Sequence, residues 1–395
     1  MKDLKFMLEL IAATVYTKNY PEIPEQIDWE FIRDISIKHN VANIIAYGIA
    51  ENNYDVPEIV KNEFSQILFS ASMVCENQIY EIEGIFSEFE KNKVEYAPLK
   101  GVVLRDIYPN PSLRMMADAD ILIHTEDFEI INRIMLDLGY EFKTESNHEY
   151  IYSKPPFFNV ELHKYLIPTY NDDMHTYYKN SWKMLSKNTD SYRCDLSVED
   201  HYVYIITHFA KHYRDSGIGI KPLIDMWLYT KKYIDNLDMD SVRKKLKELN
   251  LNIFFENISR LIDVWFEKKE HNYTTEEIEK FILKNSVFGI KENSVLSSFL
   301  RDNQGRNLEK ASKFRYINAM FPSYNHMTKI YPFLKKIPVL LPACWMIRLL
   351  KRFFYGKSIN EYKKLVDISR NDNVNLFDEH MKLVGLDIYN GRIIK

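Results

Sequence analysis

The sequence predicts an α+β protein in which a small mixed β-sheet is flanked by N-terminal and C-terminal helical regions. Apolar residues recur at helical spacing over about the first ninety residues, and short alternating or solidly apolar runs follow between 94 and 165. Helical patterning then returns and continues to the end of the chain. We therefore expect an N-terminal helical region over 1–92, an α/β core over 93–195 and a C-terminal helical region over 196–395.

The N-terminal helices are predicted from apolar spacing. Leu4, Met7, Leu8 and Ile11 lie on one face of a first helix, and a longer helix is predicted over 56–91. The opening stretch carries acidic residues within its apolar run, which is typical of an amphipathic helix rather than a secretory signal peptide.

The elements of the core follow from residue 94. A short helix is predicted directly after Lys100 and Gly101. A second helix, over 125–138, should end at Gly139, because glycine tolerates the left-handed conformation that commonly ends a helix. The predicted strands are 94–99, 118–124, 140–144, 148–153 and 157–163.

Composition argues against several classes of protein. The 52 basic and 56 acidic residues give a net charge of −4, so the sequence has no strong nucleic-acid signature. Its 11 glycines make a glycine-rich phosphate loop a poor expectation, and its three widely separated cysteines argue against a cysteine zinc site or a disulfide framework. Free thiols suit the cytoplasm, which is the expected location.

A basic and apolar segment lies near the C-terminus. Its longest uncharged apolar stretch, Ile337–Ile347, is too short to span a bilayer, which needs about 20 residues, and we expect no transmembrane segment. A basic amphipathic helix here can lie on a membrane surface, or it can pack on the α/β core or on a partner. We favour packing, because a chain that is acidic overall is not drawn to anionic lipid.

The strongest local signal is the pair Asp118 and Asp120 at the start of a predicted strand. Residues i and i+2 of a strand point to the same face, so the two carboxylates are expected side by side, ~7 Å apart at their Cα atoms. Like charges held together are costly unless a cation lies between them, and hard oxygen ligands of this type suit Mg²⁺ or Mn²⁺. The alternative is a solvated strand end beside a turn.

A third acidic residue strengthens the metal hypothesis. In the strand predicted over 157–163, Glu161 and His163 share one face, while Val160 and Leu162 share the other. If this strand neighbours the one that carries the aspartates, Glu161 completes a three-carboxylate cluster. Two divalent ions in such a cluster can clamp the attacking and leaving oxygens of a phosphoryl transfer, and Glu161 can act as a ligand or as the base for an incoming hydroxyl.

Lys100 and Gly101 lie at a predicted strand-to-helix junction, where backbone N–H groups and the helix dipole favour phosphate. Gly101 allows a phosphate to approach the backbone, and Lys100 adds a positive charge. Arg114, four residues before Asp118, is expected to neutralise a triphosphate or to pair with the acidic residues. A solvated lysine in front of a helix is the alternative for Lys100.

The order of these residues resembles a known family. The runs 97–128 and 160–166, with a Gly-Tyr pair between them, resemble the uncharacterised nucleotidyltransferase family of bacteria, within the DNA polymerase β-like nucleotidyltransferase superfamily. The helical stretch 208–229 resembles the same family, and the stretch 331–353 does so more loosely. The positions that carry the core resemblance are Leu99, Lys100, Gly101, Leu104, Tyr108, Arg114, Asp118, Asp120, Glu161 and His163.

The resemblance implies a minimal nucleotidyltransferase sheet that moves a nucleoside monophosphate from an NTP to an acceptor hydroxyl and releases pyrophosphate. ATP is the expected nucleotide, and Mg²⁺ or Mn²⁺ is the expected cofactor. Asp118, Asp120 and Glu161 are then the catalytic and metal-binding residues. The residues expected to bind the nucleotide are Lys100, Gly101, Arg114 and Lys221.

The helical stretch supplies the remaining candidates, each with an alternative. His208 and His212 share a helical face, and they contact the substrate or have a structural role; metal ligation lacks an evident third ligand. Lys221 and Asp225, one helical turn apart, lie over the nucleotide or acceptor pocket or form a surface ion pair. His163 orients the neighbouring carboxylate, contacts the acceptor, or simply packs.

The leading hypothesis is therefore a cytoplasmic, metal-dependent nucleotidyltransferase with an unidentified acceptor. The second hypothesis is a non-catalytic nucleotide-binding or regulatory module with the same fold. Its support is a departure from the superfamily, whose phosphate loop usually reads Gly-Gly or Gly-Ser, whereas Val102 follows Gly101 here. The presence of all three carboxylates argues against it. A third hypothesis, an enzyme that modifies tRNA or protein, needs a basic acceptor surface that the composition does not indicate.

Overall fold

The α+β fold is confirmed, with a five-stranded mixed sheet among helices. The chain divides into two compact units, Met1–Tyr213 with Ile218–Phe288 and Arg214–Gly217 with Gly289–Lys395. The first unit therefore contains the N-terminal helices, the sheet and several helices that follow it. The computed structural model describes residues 2–155, 158–302, 321–322, 324–354, 368 and 371–386.

Four helices lead into the sheet. The apolar spacing of the first helix is buried as predicted, with Leu4, Met7, Leu8 and Ile11 all in the core. The fourth helix has 34 residues, and its last turns lie against the sheet. The four helices are α1 (Lys2–Ala12), which continues into a π-helical turn, α2 (Trp29–Lys38), α3 (Ala42–Glu51) and α4 (Glu58–Lys91).

The sheet has the strand order β1-β2-β5-β4-β3. β2 and β5 are parallel neighbours, whereas the other pairs are antiparallel. The crossover from β2 to β5 carries helix α6 and the hairpin of β3 and β4, so residues far apart in sequence meet at the centre of the sheet. Each strand lies within two residues of its predicted bounds. The strands are β1 (Tyr96–Pro98), β2 (Ala119–Ile123), β3 (Glu141–Glu145), β4 (Glu149–Lys154) and β5 (Phe158–His163).

The two faces of the central strands have different roles. Ala119, Ile121, Val160 and Leu162 pack into an apolar core with residues of α4 and α6. The alternate positions of the same strands carry acidic and imidazole side chains, which therefore point away from this core. The strand alternation read from the sequence thus separates the core from the candidate site.

Two short helices connect the elements of the core. α5 (Lys100–Leu104) follows β1 and has five residues, and α6 (Phe128–Asp137) follows β2. α6 ends as predicted, because Gly139 adopts a φ of +84° and its N–H donates to the carbonyl of Leu136.

Further helices complete the first unit and build the second. In the second unit, Met327, Leu334 and Cys344 form a small apolar cluster. None of the helices in the described parts of the chain has the length and apolar character needed to cross a bilayer. The remaining elements are α7 (Asp172–Tyr178), β6 (Leu185–Lys187), β7 (Cys194–Leu196), α8 (Val198–Asp215), α9 (Lys221–Lys232), α10 (Met239–Glu248), α11 (Asn252–Phe266), α12 (Tyr273–Lys284), α13 (Lys291–Asp302), α14 (Tyr324–Ile330), α15 (Leu341–Phe354) and α16 (Asn371–Val384).

Two glycines provide a test of the helix boundaries. Gly139→Ala should lower the free energy of unfolding by about 1–2 kcal/mol, because a Cβ is unfavourable at this left-handed position. Gly84→Ala is the matched control. Gly84 lies inside α4 with nothing within 4 Å of a built Cβ, so alanine should stabilise the protein by about 0.5–1 kcal/mol. Urea unfolding of both variants measures the changes, and equal changes in the two would contradict the helix end at Gly139.

Candidate active site

The parallel pairing of β2 and β5 brings the predicted acidic residues together. Asp120 lies directly opposite Glu161 in the strand register, and Asp118 immediately precedes β2. One ligand atom from each of Asp120, Glu161 and His163 lies within 4.8 Å of the other two. Residues about forty positions apart in sequence therefore form one cluster on the polar face of the sheet.

Asp120 is buried and held by two positive or hydrogen-bonding groups. Lys100 Nζ lies 2.9 Å from Asp120 Oδ1, and His163 Nε2 lies 2.6 Å from the same oxygen. Burial alone would raise the pKa of Asp120, but the Lys100 ammonium and the His163 imidazole outweigh burial and hold that pKa well below its usual range. Asp120 is consequently ionised, and its Oδ2 takes part in neither of these bonds.

Asp118 and Glu161 are compensated much less. Burial, and next the charges of Asp118 and Asp120, raise the pKa of Glu161 to about 8. Burial, and next the Asp120 charge, also raise the pKa of Asp118, whereas the Lys100 and His163 charges oppose this shift. With a pKa of about 8, Glu161 carries a proton at neutral pH. The cluster therefore has more negative charge than its protein neighbours neutralise.

Lys100 adopts an unusual backbone conformation. Its φ is +38°, in the left-handed region that side-chain-bearing residues rarely occupy, at a cost of order 1–3 kcal/mol. This conformation lies at the junction of β1 and α5, where the Lys100 side chain reaches Asp120 on the adjacent strand. The strain is thus located at the residue that neutralises the buried aspartate.

Gly101 has a packing explanation. A Cβ built on Gly101 would come within 2.7 Å of Met116 Sδ, so the methionine side chain fills the space that the missing side chain leaves. α5 has only five residues, and its dipole is accordingly small. The predicted close approach of a phosphate at this position therefore remains an expectation.

A second histidine extends the contacts of His163. His148 Nε2 lies 3.0 Å from His163 Nδ1, and Glu149 Oε2 lies 3.9 Å from both rings. Burial, and next the neighbouring His163, lower the pKa of His148 to about 2, so its ring is neutral. With His148 donating to Nδ1, His163 donates from Nε2 to Asp120, which assigns one tautomer to each ring. His148, Glu149 and His163 also form a second group of possible metal ligands.

Arg114 forms a buried, two-bond ion pair with Asp225 of α9. Its Nε and Nη2 lie 2.8 and 2.9 Å from the two carboxylate oxygens, and the Tyr108 hydroxyl donates to Oδ1 at 2.8 Å. Arg114 thus pairs with an acidic residue outside the three-carboxylate cluster. Asp225 is buried, so the alternative of a surface ion pair between Lys221 and Asp225 is wrong for this structure.

Lys221 is buried at the edge of the same network. Its Nζ donates to the carbonyl of Met115 at 2.9 Å, and Arg114 donates to the same carbonyl at 3.1 Å. Burial, and next the nearby Arg114 charge, lower the pKa of Lys221 to about 7, while Asp225 and Asp118 oppose this shift. Lys221 therefore titrates near neutral pH. The carbonyl to which it donates belongs to Met115, three residues before Asp118 in the sequence.

Side chains of the N-terminal helices bind the loop that leads to Asp118. Asn43 of α3 donates to the carbonyls of Ser112 and Leu113 at 2.7 and 3.0 Å. Gln78 of α4 donates to the carbonyl of Met116 at 3.1 Å. We call residues 108–118 the approach loop, because it delivers the chain to the two aspartates. Its backbone is fixed by side chains from α3, α4 and α9.

Helix α8 presents three polar side chains toward the cluster. His208 and His212 are half-buried with their Nε2 atoms 2.9 Å apart, and desolvation, together with the Lys100 charge among other causes, lowers the pKa of each. Tyr204 lies one turn earlier, and its buried hydroxyl has no hydrogen-bond partner in the described parts of the chain. Burial raises the pKa of Tyr204; Lys100 opposes this and Asp120 adds to it, as expected of a side chain near the cluster.

A family model described as an uncharacterised nucleotidyltransferase matches residues 25–267. The chain belongs to this family. No curated protein and no solved structure matches it. In this nucleotidyltransferase the match ends at the last turn of α11, so it includes every candidate site residue and excludes the stretch 331–353 that resembles the family more loosely.

Sequence reasoning on this nucleotidyltransferase missed several residues of the site. No sequence motif marks His148 or Gln78, because each acts through a contact with a residue distant in sequence. Tyr204 had a detectable signal, since Tyr204, His208 and His212 recur every four residues on one helical face. Asn43 lies about seventy residues from the loop it holds and could not be connected to it by spacing.

The raised pKa of Glu161 makes stability depend on pH. Because the folded pKa of about 8 exceeds the ordinary glutamate pKa of 4.5, this group's stabilising contribution is complete below about 4.5 and is lost as the pH rises through about 8. The wild-type chain in EDTA should lose up to about 1.4 kcal/mol per pH unit relative to Glu161→Gln in this window.

Urea unfolding at several pH values measures this difference, in which the other titrating groups cancel. Glu129→Gln, at an exposed position of α6, is the control and should parallel the wild type. Parallel curves of unfolding free energy against pH for the wild type and Glu161→Gln would show that the pKa of Glu161 is not raised in the folded protein.

Proposed function

We propose that this protein transfers a nucleoside monophosphate from an NTP to an acceptor hydroxyl and releases pyrophosphate. The observation that carries the proposal is the under-compensated cluster of Asp118, Asp120 and Glu161 on the polar face of the sheet. Three carboxylates at one point are unfavourable in a structural role, because their repulsion must be overcome by protonation or by a cation. The activity assigned on this basis is an EC 2.7.7-type reaction.

The carboxylate cluster fits a divalent cation of the Mg²⁺ or Mn²⁺ type. The donors are hard oxygen atoms, and burial, followed by the charges of neighbouring carboxylates, raises the pKa values of Asp118 and Glu161, which a bound cation would offset. Asp118, Asp120 and Glu161 would hold the cation. When bound, such a cation supplies charge neutralisation at the phosphoryl oxygens and orients the reacting groups.

The residues around the cluster have separate tasks in this proposal. Lys100 and His163 keep Asp120 ionised and oriented. Lys221 offers a positive charge to the triphosphate, whereas Arg114 fixes the approach loop through its ion pair with Asp225. Glu161, once it has lost its proton, accepts the proton of the acceptor hydroxyl.

The acceptor is proposed to lie against α8. His208 and His212 are half-buried, neutral imidazoles near the cluster, and Tyr204 beside them is buried, which suits hydrogen bonding to an uncharged hydroxylated molecule. Asp225 contributes to this pocket indirectly by holding Tyr108 and Arg114. ATP is the proposed donor and the cytoplasm the proposed location, in keeping with three free buried cysteines.

The alternative is a non-catalytic nucleotide-binding module. Its specific support is that Val102 follows Gly101 and that the space beside Gly101 is filled by Met116. Nucleotide binding without pyrophosphate release would favour this alternative. The intact set of three carboxylates favours catalysis.

Asp118→Asn tests the proposal. In the wild type, one NTP at one hundred times its Kd should stabilise the fold by about 2.7 kcal/mol in the presence of Mg²⁺, seen as a rise in Tm. Asp118→Asn should abolish the rise without lowering Tm in EDTA, because the amide removes a repelled charge. Asp106→Asn is the matched control, because Asp106 is an exposed aspartate shortly before the approach loop.

Catalysis is then measured with the NTP so identified. Pyrophosphate release and transfer of an α-phosphate label to fractions of a cell extract should occur with the wild type and Asp106→Asn, and fall at least about 100-fold with Asp118→Asn. Label transfer by Asp118→Asn at the wild-type rate would exclude the proposed site.

Lys221 should take up a proton when the nucleotide binds. Its pKa of about 7 in the free protein should rise beside a triphosphate, so up to about one proton enters near pH 8. Titration calorimetry with Mg²⁺ already saturating, repeated in buffers of different ionisation enthalpy, counts this proton. Lys221→Arg keeps the charge at every pH and should eliminate the uptake; unchanged uptake in that variant would remove Lys221 from the nucleotide site.

A further inference from the structure

Residues 310–360 have a charge unlike that of the rest of the chain. The segment contains ten lysines and arginines and no aspartate or glutamate. Since the segment carries +10 and the whole chain −4, the remaining residues carry −14. The net charge, which argued against attraction to an anionic surface, therefore conceals a strongly basic segment.

Helix α15 lies within this segment and turns apolar side chains outward. Its inner side contributes Cys344 to the apolar cluster of the second unit. Its outer side is exposed, with 64% of Met346 and 52% of Leu350 accessible to solvent. We call this row of exposed residues the apolar stripe. It consists of Leu340, Ala343, Met346, Ile347 and Leu350, which recur at helical spacing.

Basic residues border the apolar stripe. Lys335 and Lys336 are exposed just before it, and neither forms an ion pair with any residue the structure describes. Lys351 and Arg352 come directly after Leu350 in the sequence. An apolar row with a basic border and no acidic residue matches a partner that is both anionic and apolar.

We propose that the apolar stripe and its lysines dock on an anionic membrane surface, with α15 lying in the plane of the interface. Anionic headgroups pair with the lysines, while the hydrocarbon beside them buries the apolar stripe. A second copy of the chain would place one +10 segment against another, which is repulsive. A nucleic acid would neutralise the lysines but leave the apolar stripe in water.

The proposal concerns attachment and not crossing. α15 has 14 residues, a length of about 21 Å, which is short for the hydrocarbon core but sufficient to lie along its boundary. The proposal rests on the second unit alone and is independent of the transfer reaction, since the family match ends at residue 267.

Vesicle binding of the full-length chain tests the proposal. The probes are vesicles of phosphatidylcholine alone and vesicles rich in phosphatidylglycerol, and the apparent Kd is read from the sedimented fraction. We expect binding to the anionic vesicles only, weakened by added salt. Met346→Glu should raise the apparent Kd about tenfold or more, because it places a charge in the apolar stripe. Lys335→Glu with Lys336→Glu should raise it about 30-fold or more.

Matched controls separate docking from general effects. Met73→Glu changes a methionine of similar exposure, 59%, on α4, and Lys244→Glu with Lys247→Glu changes two exposed lysines of α10. Both controls should bind as the wild type does. Tm of each variant in the absence of lipid should equal that of the wild type, because all these positions are exposed.

Several results would overturn the proposal. Absence of binding, equal binding to neutral vesicles, or equal effects of Met346→Glu and Met73→Glu would each remove the membrane as the partner. A large fall in Tm for Met346→Glu would mean that another part of the chain covers the apolar stripe. A concentration-dependent dimer that Met346→Glu dissociates would assign the apolar stripe to a second copy.

Discussion

Repulsion among Asp118, Asp120 and Glu161 is the constraint that the surrounding structure accommodates. The parallel pairing of β2 and β5 fixes Asp120 opposite Glu161, so the carboxylates cannot separate without breaking the centre of the sheet. Lys100 and His163 both bond to Asp120, and Glu161 retains a proton into the neutral range. The protein thus neutralises one carboxylate with its own side chains and leaves the other two less compensated; in the proposed function a divalent cation supplies the missing positive charge.

The neutralisation of Asp120 by the protein's own side chains accounts for the strained backbone of Lys100 and the buried imidazole of His163. Lys100 adopts a left-handed backbone conformation, and the ion pair with Asp120 is the interaction that gains from it. Because an ionised carboxylate only accepts, Asp120 requires a proton on Nε2 of His163, and Nδ1 of a neutral His163 is then left to accept from His148. Removing His148 would therefore act on Asp120 through an intermediate ring, which makes it a positioning residue rather than one that touches substrate.

The sequence predicts the strands and the acidic cluster well, because both follow from local alternation. Asp120, Glu161 and His163 occupy the polar phase of two buried strands, and the crossover that makes the strands neighbours is a common one. Local sequence patterns do not predict which distant residues these side chains contact in the folded protein. Spacing predicts that Arg114 lies near Asp118 and Asp120, but it gives no sign of the ion pair with Asp225, more than one hundred residues away. Spacing also gives no sign that Met116 fills the space beside Gly101, where phosphate approach stays a prediction.

The approach loop explains why the family match extends well beyond the sheet. A minimal transferase core would need only the residues from β1 to β5, but the loop that delivers Asp118 has its carbonyls held by Asn43 of α3, Gln78 of α4 and Lys221 of α9. These bonds satisfy buried backbone groups that the loop cannot pair within itself. The helical regions are consequently part of the site's construction, and a fragment limited to the α/β core would leave the carbonyls of Ser112, Leu113 and Met116 without these partners and Asp118 without a fixed position.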